Sequence, residues 1–163
     1  MTRLTVVTQS VEETLRLGEM LGGLLQPGDF LALTGDLGAG KTHLAKGVAK
    51  GVGVKDSGSV TSPTYTLLNI HQGTHVFHHF DLYRLSGDED VVNLGFYEYF
   101  HGSGVTLVEW ADRLHDELPE ELLAIDLSHD GEDRRRITLE AYGERYRSLL
   151  EAIGAIVATS SCL

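Results

Sequence analysis

The chain has 163 residues, 42% of them hydrophobic and only three of them proline, which supplies one globular core and leaves too little length for two domains. Thirteen Lys and Arg against 24 Asp and Glu give a formal charge of −11, which opposes direct, tight binding to a phosphate backbone; the one basic run is Arg134–Arg136, so any nucleic-acid role is expected to pass through a partner. The single cysteine, Cys162, excludes an intramolecular disulfide and a cysteine zinc site and fits a reducing, cytoplasmic setting, while no stretch has the apolar length of a secretory leader or a membrane span.

In chain order, the first predicted element is an amphipathic helix from Ser10 to about Gly22, with Val11, Leu15, Leu17, Met20 and Leu21 as its apolar positions. Ser10 is its N-cap, with Glu13 three residues on. Pro27-Gly28-Asp29 then turns the chain into Phe30–Thr34, a short apolar run of the buried-strand type, and Gly35–Gly40 breaks the pattern. After Lys41 the apolar residues return at helical spacing, at Leu44, Ala45, Val48 and Ala49, and stop near Gly51 and Gly53. The hydroxyl-rich stretch between Lys55 and Asn69 reads as a loop that runs into a strand at Tyr65–Ile70. His75–Phe80 forms the next strand and ends in Asp81, and a helix follows from Asp88 to Phe100. Val105–Val108, ending in Glu109-Trp110, has the unbroken apolar character of a central parallel strand. Two short strands, Leu122–Leu127 and Arg136–Ala141, precede a helix from about Glu144 to Ile156. Residues 1–157 are thus expected to form one domain, with 158–163 as a frayed tail.

Gly35-Asp36-Leu37-Gly38-Ala39-Gly40-Lys41-Thr42 matches G-x-x-x-x-G-K-[ST] in full and stands where such a loop must stand, between a strand and a helix. Backbone N–H groups of the loop and the helix N-terminus form an anion cradle, Lys41 meets the β and γ phosphates, and the Thr42 hydroxyl ligates Mg²⁺. A second, acidic Mg²⁺ contact is required at the end of a neighbouring strand, and both Asp81 and Glu109 qualify, Glu109 with the cleaner apolar run before it. Thr61, Ser62 and Thr64 have the composition first of a plain hydroxyl-rich loop and second of a segment that senses a γ-phosphate. Alternation sends His78 and His79 to opposite faces of their strand, which argues against a shared zinc site with His75. Trp110 reads either as a wall of the nucleotide pocket or as a core aromatic.

Four motifs in order, the P-loop, Ser62-Pro63-Thr64-Tyr65-Thr66-Leu67, His79-Phe80-Asp81-Leu82-Tyr83-Arg84-Leu85 and Leu107-Val108-Glu109-Trp110, resemble the TsaE family, formerly YjeE, over roughly residues 10 to 142. The resemblance implies a small bacterial ATPase that works with the TsaB and TsaD partners in forming N6-threonylcarbamoyladenosine at position 37 of tRNAs that decode ANN codons. By the same resemblance Gly38, Ala39, Gly40, Lys41 and Thr42 bind phosphate, His43 follows them in the cofactor site, Thr42 and Glu109 ligate Mg²⁺, Asp81 has an essential role at the nucleotide, and Trp110 lies near it. Adenine-side contacts map to Ser10 and Val11 at the start of the first helix and to one late arginine, of which Arg136 is the choice. His43 departs from the family, which usually has a small hydroxyl residue there.

The expected architecture is α/β: a three-layer P-loop NTPase with a mainly parallel central sheet and helices on both faces. ATP and Mg²⁺ are the expected cofactors, and Lys41, Asp81 and Glu109 the expected catalytic residues. Two rival functions share these residues, a nucleotide-gated adaptor with negligible hydrolysis and a kinase for a small acceptor. The sequence has no Asn-Lys-x-Asp guanine motif, and no arginine-rich lid beyond Arg134–Arg136.

Overall fold

The computed structural model describes residues 1–160. Among these, seven strands form one sheet in the order β1-β7-β6-β2-β5-β4-β3, where β1 is Arg3–Thr8, β2 Phe30–Gly35, β3 Leu68–Gln72, β4 Val76–Asp81, β5 Val105–Glu109, β6 Leu122–His129 and β7 Arg135–Tyr142. The four central strands, β6-β2-β5-β4, run parallel, and antiparallel pairings extend the sheet through β7 and β1 on one side and β3 on the other. The α/β three-layer expectation holds, with the parallel character confined to the middle of a mixed sheet. Among the described residues no helix is long and apolar enough to cross a membrane.

The two faces are covered unequally. Helices α1 (Val11–Leu24), α2 (Lys41–Val52) and α5 (Glu144–Thr159) pack Leu17, Leu44, Val48, Leu149 and Ile153 against Leu31, Leu33, Leu107 and Ile125 of the sheet. The opposite face is closed by the short helices α3 (Asp88–Asn93) and α4 (Tyr97–Phe100), where Phe30, Phe80, Phe96 and Phe100 meet edge-on at centroid distances of 4.9–5.2 Å. Every residue of β5 is buried, as a strand covered on both faces requires. β2 is anchored at its start: the Phe30 N–H donates to the Tyr146 hydroxyl at 2.9 Å, and the buried Asp29 carboxylate accepts from Arg145 at 2.7 and 3.1 Å. These bonds tie the strand that leads into the P-loop to helix α5, 116 residues along the chain.

Helix α1 starts where its cap dictates. Ser10 Oγ accepts from the Glu13 N–H at 3.2 Å, and the Glu13 carboxylate accepts from the Gln9 N–H, so two otherwise unpaired donors are satisfied. At its contact with α2, glycines of each helix lie against the main chain of the other. A methyl group on Gly18 would stand 2.6 Å from Leu44 O and 2.9 Å from Gly47 Cα; one on Gly51 would stand 2.8 Å from Gly22 Cα, and one on Gly47 would collide with Leu15 O. The two backbones therefore approach as closely as main-chain atoms allow, and α2, which begins at Lys41, is held at one height against α1.

Four expectations are adjusted. β1 is additional: a short edge strand with only Val6 and Thr8 buried, it is stabilised by pairing with β7, more than 120 residues away, so local pattern gives it little weight. The strand expected at Tyr65–Ile70 begins only at Leu68, because the Leu67 N–H bonds back to Pro63 O at 2.7 Å and closes a turn. The helix expected from Asp88 to Phe100 is two, separated at Leu94–Phe96, where Gly95 takes a φ of +72° that no helix interior accommodates. Helix α5 runs to Thr159, so the first two residues of the expected tail are helical, while residues 161–163, with Cys162, lie outside the described residues.

Two measurements test this scaffold. Gly47→Ala is expected to destabilise the protein by about 1–3 kcal/mol, the usual cost of overpacking, because the obstructing atoms are main chain and cannot rotate away; an unchanged urea midpoint would contradict the glycine contact. His78, buried against Tyr99 with ring centroids 5.0 Å apart, has its pKa lowered by burial from the ordinary 6.5. The unfolded chain therefore takes up this proton first, and stability present above pH 6.5 is lost as pH falls through that value toward the depressed folded pKa. From about pH 7.5 to about 5.5, the urea midpoint of His78→Phe is expected to fall less than that of the parent protein.

Candidate active site

Parallel pairing aligns the carboxyl ends of β4, β5 and β2. In this register Asp81 lies beside Glu109, and Glu109 beside Leu33, two residues before the P-loop begins at Gly35. Both acidic residues left open by the sequence thus sit next to each other at the same end of the sheet, 3% and 2% exposed. A cleft of about 290 Å³ opens there, lined by Gly38, Gly40, Lys41, Thr42 and His43 on one side and by Ser62, Thr64, Asp81, Glu109 and Trp110 on the other. Ala39 faces the core instead and is fully buried.

One chain of hydrogen bonds joins three elements. The Thr42 and Ser62 hydroxyls are 2.5 Å apart, and Ser62 Oγ donates to Glu109 Oε2 at 2.7 Å. Beside it, Thr64 Oγ1 donates to Asp81 Oδ2 at 3.0 Å, and the Tyr83 N–H donates to Asp81 Oδ1 at 2.9 Å. The Ser62-Pro63-Thr64 segment is therefore stitched to both carboxylates. Hydroxyl and carboxylate oxygens are the donor set that hard divalent cations take, and a Mg²⁺ held by one or two protein oxygens needs no more from the chain.

Lys41 is 5% exposed and donates its ammonium to Gly35 O at 2.5 Å and Asp36 O at 2.8 Å, while the Trp110 ring lies 4.2 Å away. Burial lowers its pKa, and the nearby carboxylates of Glu109, Asp112, Asp81 and Asp36 oppose that shift. The N-cap of helix α2, Gly40, has no side chain to bond the first turn, which leaves the leading N–H groups without a side-chain cap among the described residues and suited to an anion. Leu67 and Trp110, the two non-glycine residues with left-handed backbone among those described, with φ of 70° and 59°, both adjoin segments that line the cleft. Such strain costs about 1–3 kcal/mol per residue and clusters at working sites.

Val11 and Arg136 do not line this cleft. Alternation along β7 sends Arg136 to the far face, where it pairs with Asp130 at 3.6 Å, and sends Arg135 toward the P-loop. Arg135 donates to Ala39 O at 3.0 Å and Gly38 O at 3.4 Å. One more residue escaped the sequence reading: His79, fully buried, has Nε2 2.5 Å from Glu109 Oε2. The sign available in sequence was its alternation with Phe77 and Asp81, which places it on the face of Asp81; the β4–β5 register adds Glu109 to that face.

Arg135→Ala is expected to free the P-loop. With about 1 kcal/mol of local restraint removed, amide hydrogen exchange across residues 36–40 should accelerate about fivefold; unchanged exchange there would show that the loop holds its shape without Arg135.

The family model described as threonylcarbamoyl adenosine biosynthesis protein TsaE matches residues 8–137. A tRNA threonylcarbamoyladenosine biosynthesis protein TsaE from Bacillus subtilis is 42% identical over 147 residues, covering 90% of each chain, and one from Treponema pallidum is 40% identical over 133 residues, covering 82% of this chain and 97% of its own. The crystal structure of Bacillus subtilis YdiB superposes with a TM-score of 0.80 at 38% identity, across 96% of this chain and 98% of that one. With the P-loop, the two strand-end carboxylates and the Ser62-Pro63-Thr64 segment assembled on one cleft and the match running through all of them, the chain belongs to the TsaE family.

Proposed function

We propose that this protein is a Mg²⁺-dependent ATPase of the cytoplasm, accessory to a TsaB–TsaD complex and required for N6-threonylcarbamoyladenosine formation at position 37 of ANN-decoding tRNAs. The relatives' names point to the pathway, and the observation that carries the ATPase reading is the meeting of Thr42, Ser62 and Glu109 directly beside Lys41. The charge of −11 favours a protein partner over direct tRNA contact.

In this reading the N–H groups of the P-loop and the first turn of α2 hold the phosphates, and Lys41 exchanges its bonds to Gly35 O and Asp36 O for the β and γ oxygens. Thr42 and Glu109 would hold Mg²⁺, which would supply positive charge against the phosphates when bound. Asp81 keeps Thr64 in place, so the 61–65 segment responds to whatever lies between Thr42 and Glu109. Its exposed end, with Tyr65 83% exposed, faces outward to meet a partner. Partner contact completes the hydrolytic site; P-loop enzymes that lack a partner-supplied group run ~10³–10⁵-fold slower.

Phosphate release from ATP, measured for the protein alone and with its cognate TsaB–TsaD complex, tests the proposal. Stimulation by the complex that disappears in Glu109→Ala is the expected result. Tight binding to the complex without stimulation would favour the adaptor, and a phosphorylated small molecule as product would favour the kinase.

A further inference from the structure

His79 lies in the middle of β4 with no exposed surface, between Phe77, which stacks on it at a centroid distance of 6.0 Å, and Asp81 at the cleft. Its Nε2 meets Glu109 Oε2 at 2.5 Å. Its Nδ1 is buried and has no hydrogen-bond partner among the described residues, so the imidazole makes a single polar contact there, to Glu109. A ring placed here for packing alone would be better replaced by an aliphatic one, since an unpartnered polar atom in the core is costly. The bond is instead an N–H donated to a carboxylate, the charge-assisted kind that fixes orientation.

Glu109 receives both of its donors on the same oxygen. Ser62 Oγ and His79 Nε2 converge on Oε2, and no hydrogen bond within the described residues engages Oε1, although the side chain lines the cleft. The two donors differ in what they can do. Ser62 belongs to the 61–65 segment and also contacts Thr42, whereas His79 is locked in the sheet by the β4 pairing with β5.

We propose that His79 is a positioning residue: it clamps Oε2 of Glu109 from inside the core, so that Oε1 is presented to a divalent cation whether or not Ser62 stays in contact. This rests on the reading of Glu109 as a Mg²⁺ ligand. When the 61–65 segment moves, Glu109 keeps its orientation through the one donor that does not move with it. Supporting groups of this kind behind a metal ligand typically change metal affinity by about 10–100-fold.

The test uses the full chain and a fluorescent ADP analogue, titrated with Mg²⁺ and, in a parallel arm, in EDTA. His79→Leu removes the donor, and His79→Gln returns an amide N–H near the position of Nε2. His79→Leu is expected to need about 10–100-fold more Mg²⁺ for the metal-dependent gain in nucleotide affinity, while binding in EDTA stays within about twofold of the parent. His79→Gln is expected to recover most of the loss. Should His79→Leu fail to fold, His79→Asn, whose shorter amide does not reach Oε2, replaces it in the same comparison. Unchanged Mg²⁺ dependence in the donorless variant overturns the proposal. Equal weakening in both arms, or a loss that His79→Gln does not repair, overturns it as well and marks His79 as a packing residue. A parent protein whose nucleotide binding does not respond to Mg²⁺ at all overturns the reading of Glu109 together with this one, which separates the two failures.

Discussion

The carboxylate of Glu109, 2% exposed at the end of a strand with every residue buried, is the interaction on which the arrangement of the site depends. A carboxylate taken out of water is tolerated only when donors and opposite charge replace the lost hydration. Here the replacements come from four places: the Ser62 hydroxyl, the His79 ring, the Lys41 ammonium, whose pKa the Glu109 charge supports against burial, and the open cleft itself. The parallel register of β4, β5 and β2 sets His79 and the strand that leads to Lys41 beside Glu109. The sheet order therefore sets the geometry of the site, and the helices hold that order.

The helices do so with little slack where it matters. Glycines at the contact between α1 and α2 leave main chain against main chain, which sets the helix that begins at Lys41 closely against α1. At its other end the same strand–loop–helix unit is tied by Asp29 and Phe30 to α5. Against this rigid frame stand the 61–67 segment and the P-loop. The segment is held to the site by two hydroxyls and ends in a strained Leu67; the P-loop is braced by Arg135 from outside. Hydroxyl bonds are exchangeable for ligand oxygens at small net cost, whereas glycine packing is not.

Much of this was legible from spacing. Phe30–Thr34, the glycine loop and the Lys41 helix appeared in order, because a buried strand and an amphipathic helix have different periods and glycine interrupts both. The cap of α1 was visible at Ser10 and Glu13 for the same local reason. Local pattern failed where a distant partner or a single backbone angle decided the outcome: β1 exists through β7, the Asp88–Phe100 helix breaks on the φ of Gly95, and the 65–70 strand is delayed by a turn that Leu67 closes onto Pro63.

The site divides in the same way. Local pattern reveals which groups are present, a G-x-x-x-x-G-K-[ST] loop with Lys41 and Thr42 and two strand-end carboxylates, because each is written in a contiguous run with its own period. How they meet follows from the folded arrangement: Asp81 and Glu109 are cross-strand neighbours, Ser62 links Glu109 to Thr42, Arg135 rather than Arg136 reaches the P-loop, and His79 stands behind Glu109. These contacts join residues 20 to 97 positions apart, and a separation of that length is settled by strand order and register, which no local pattern encodes.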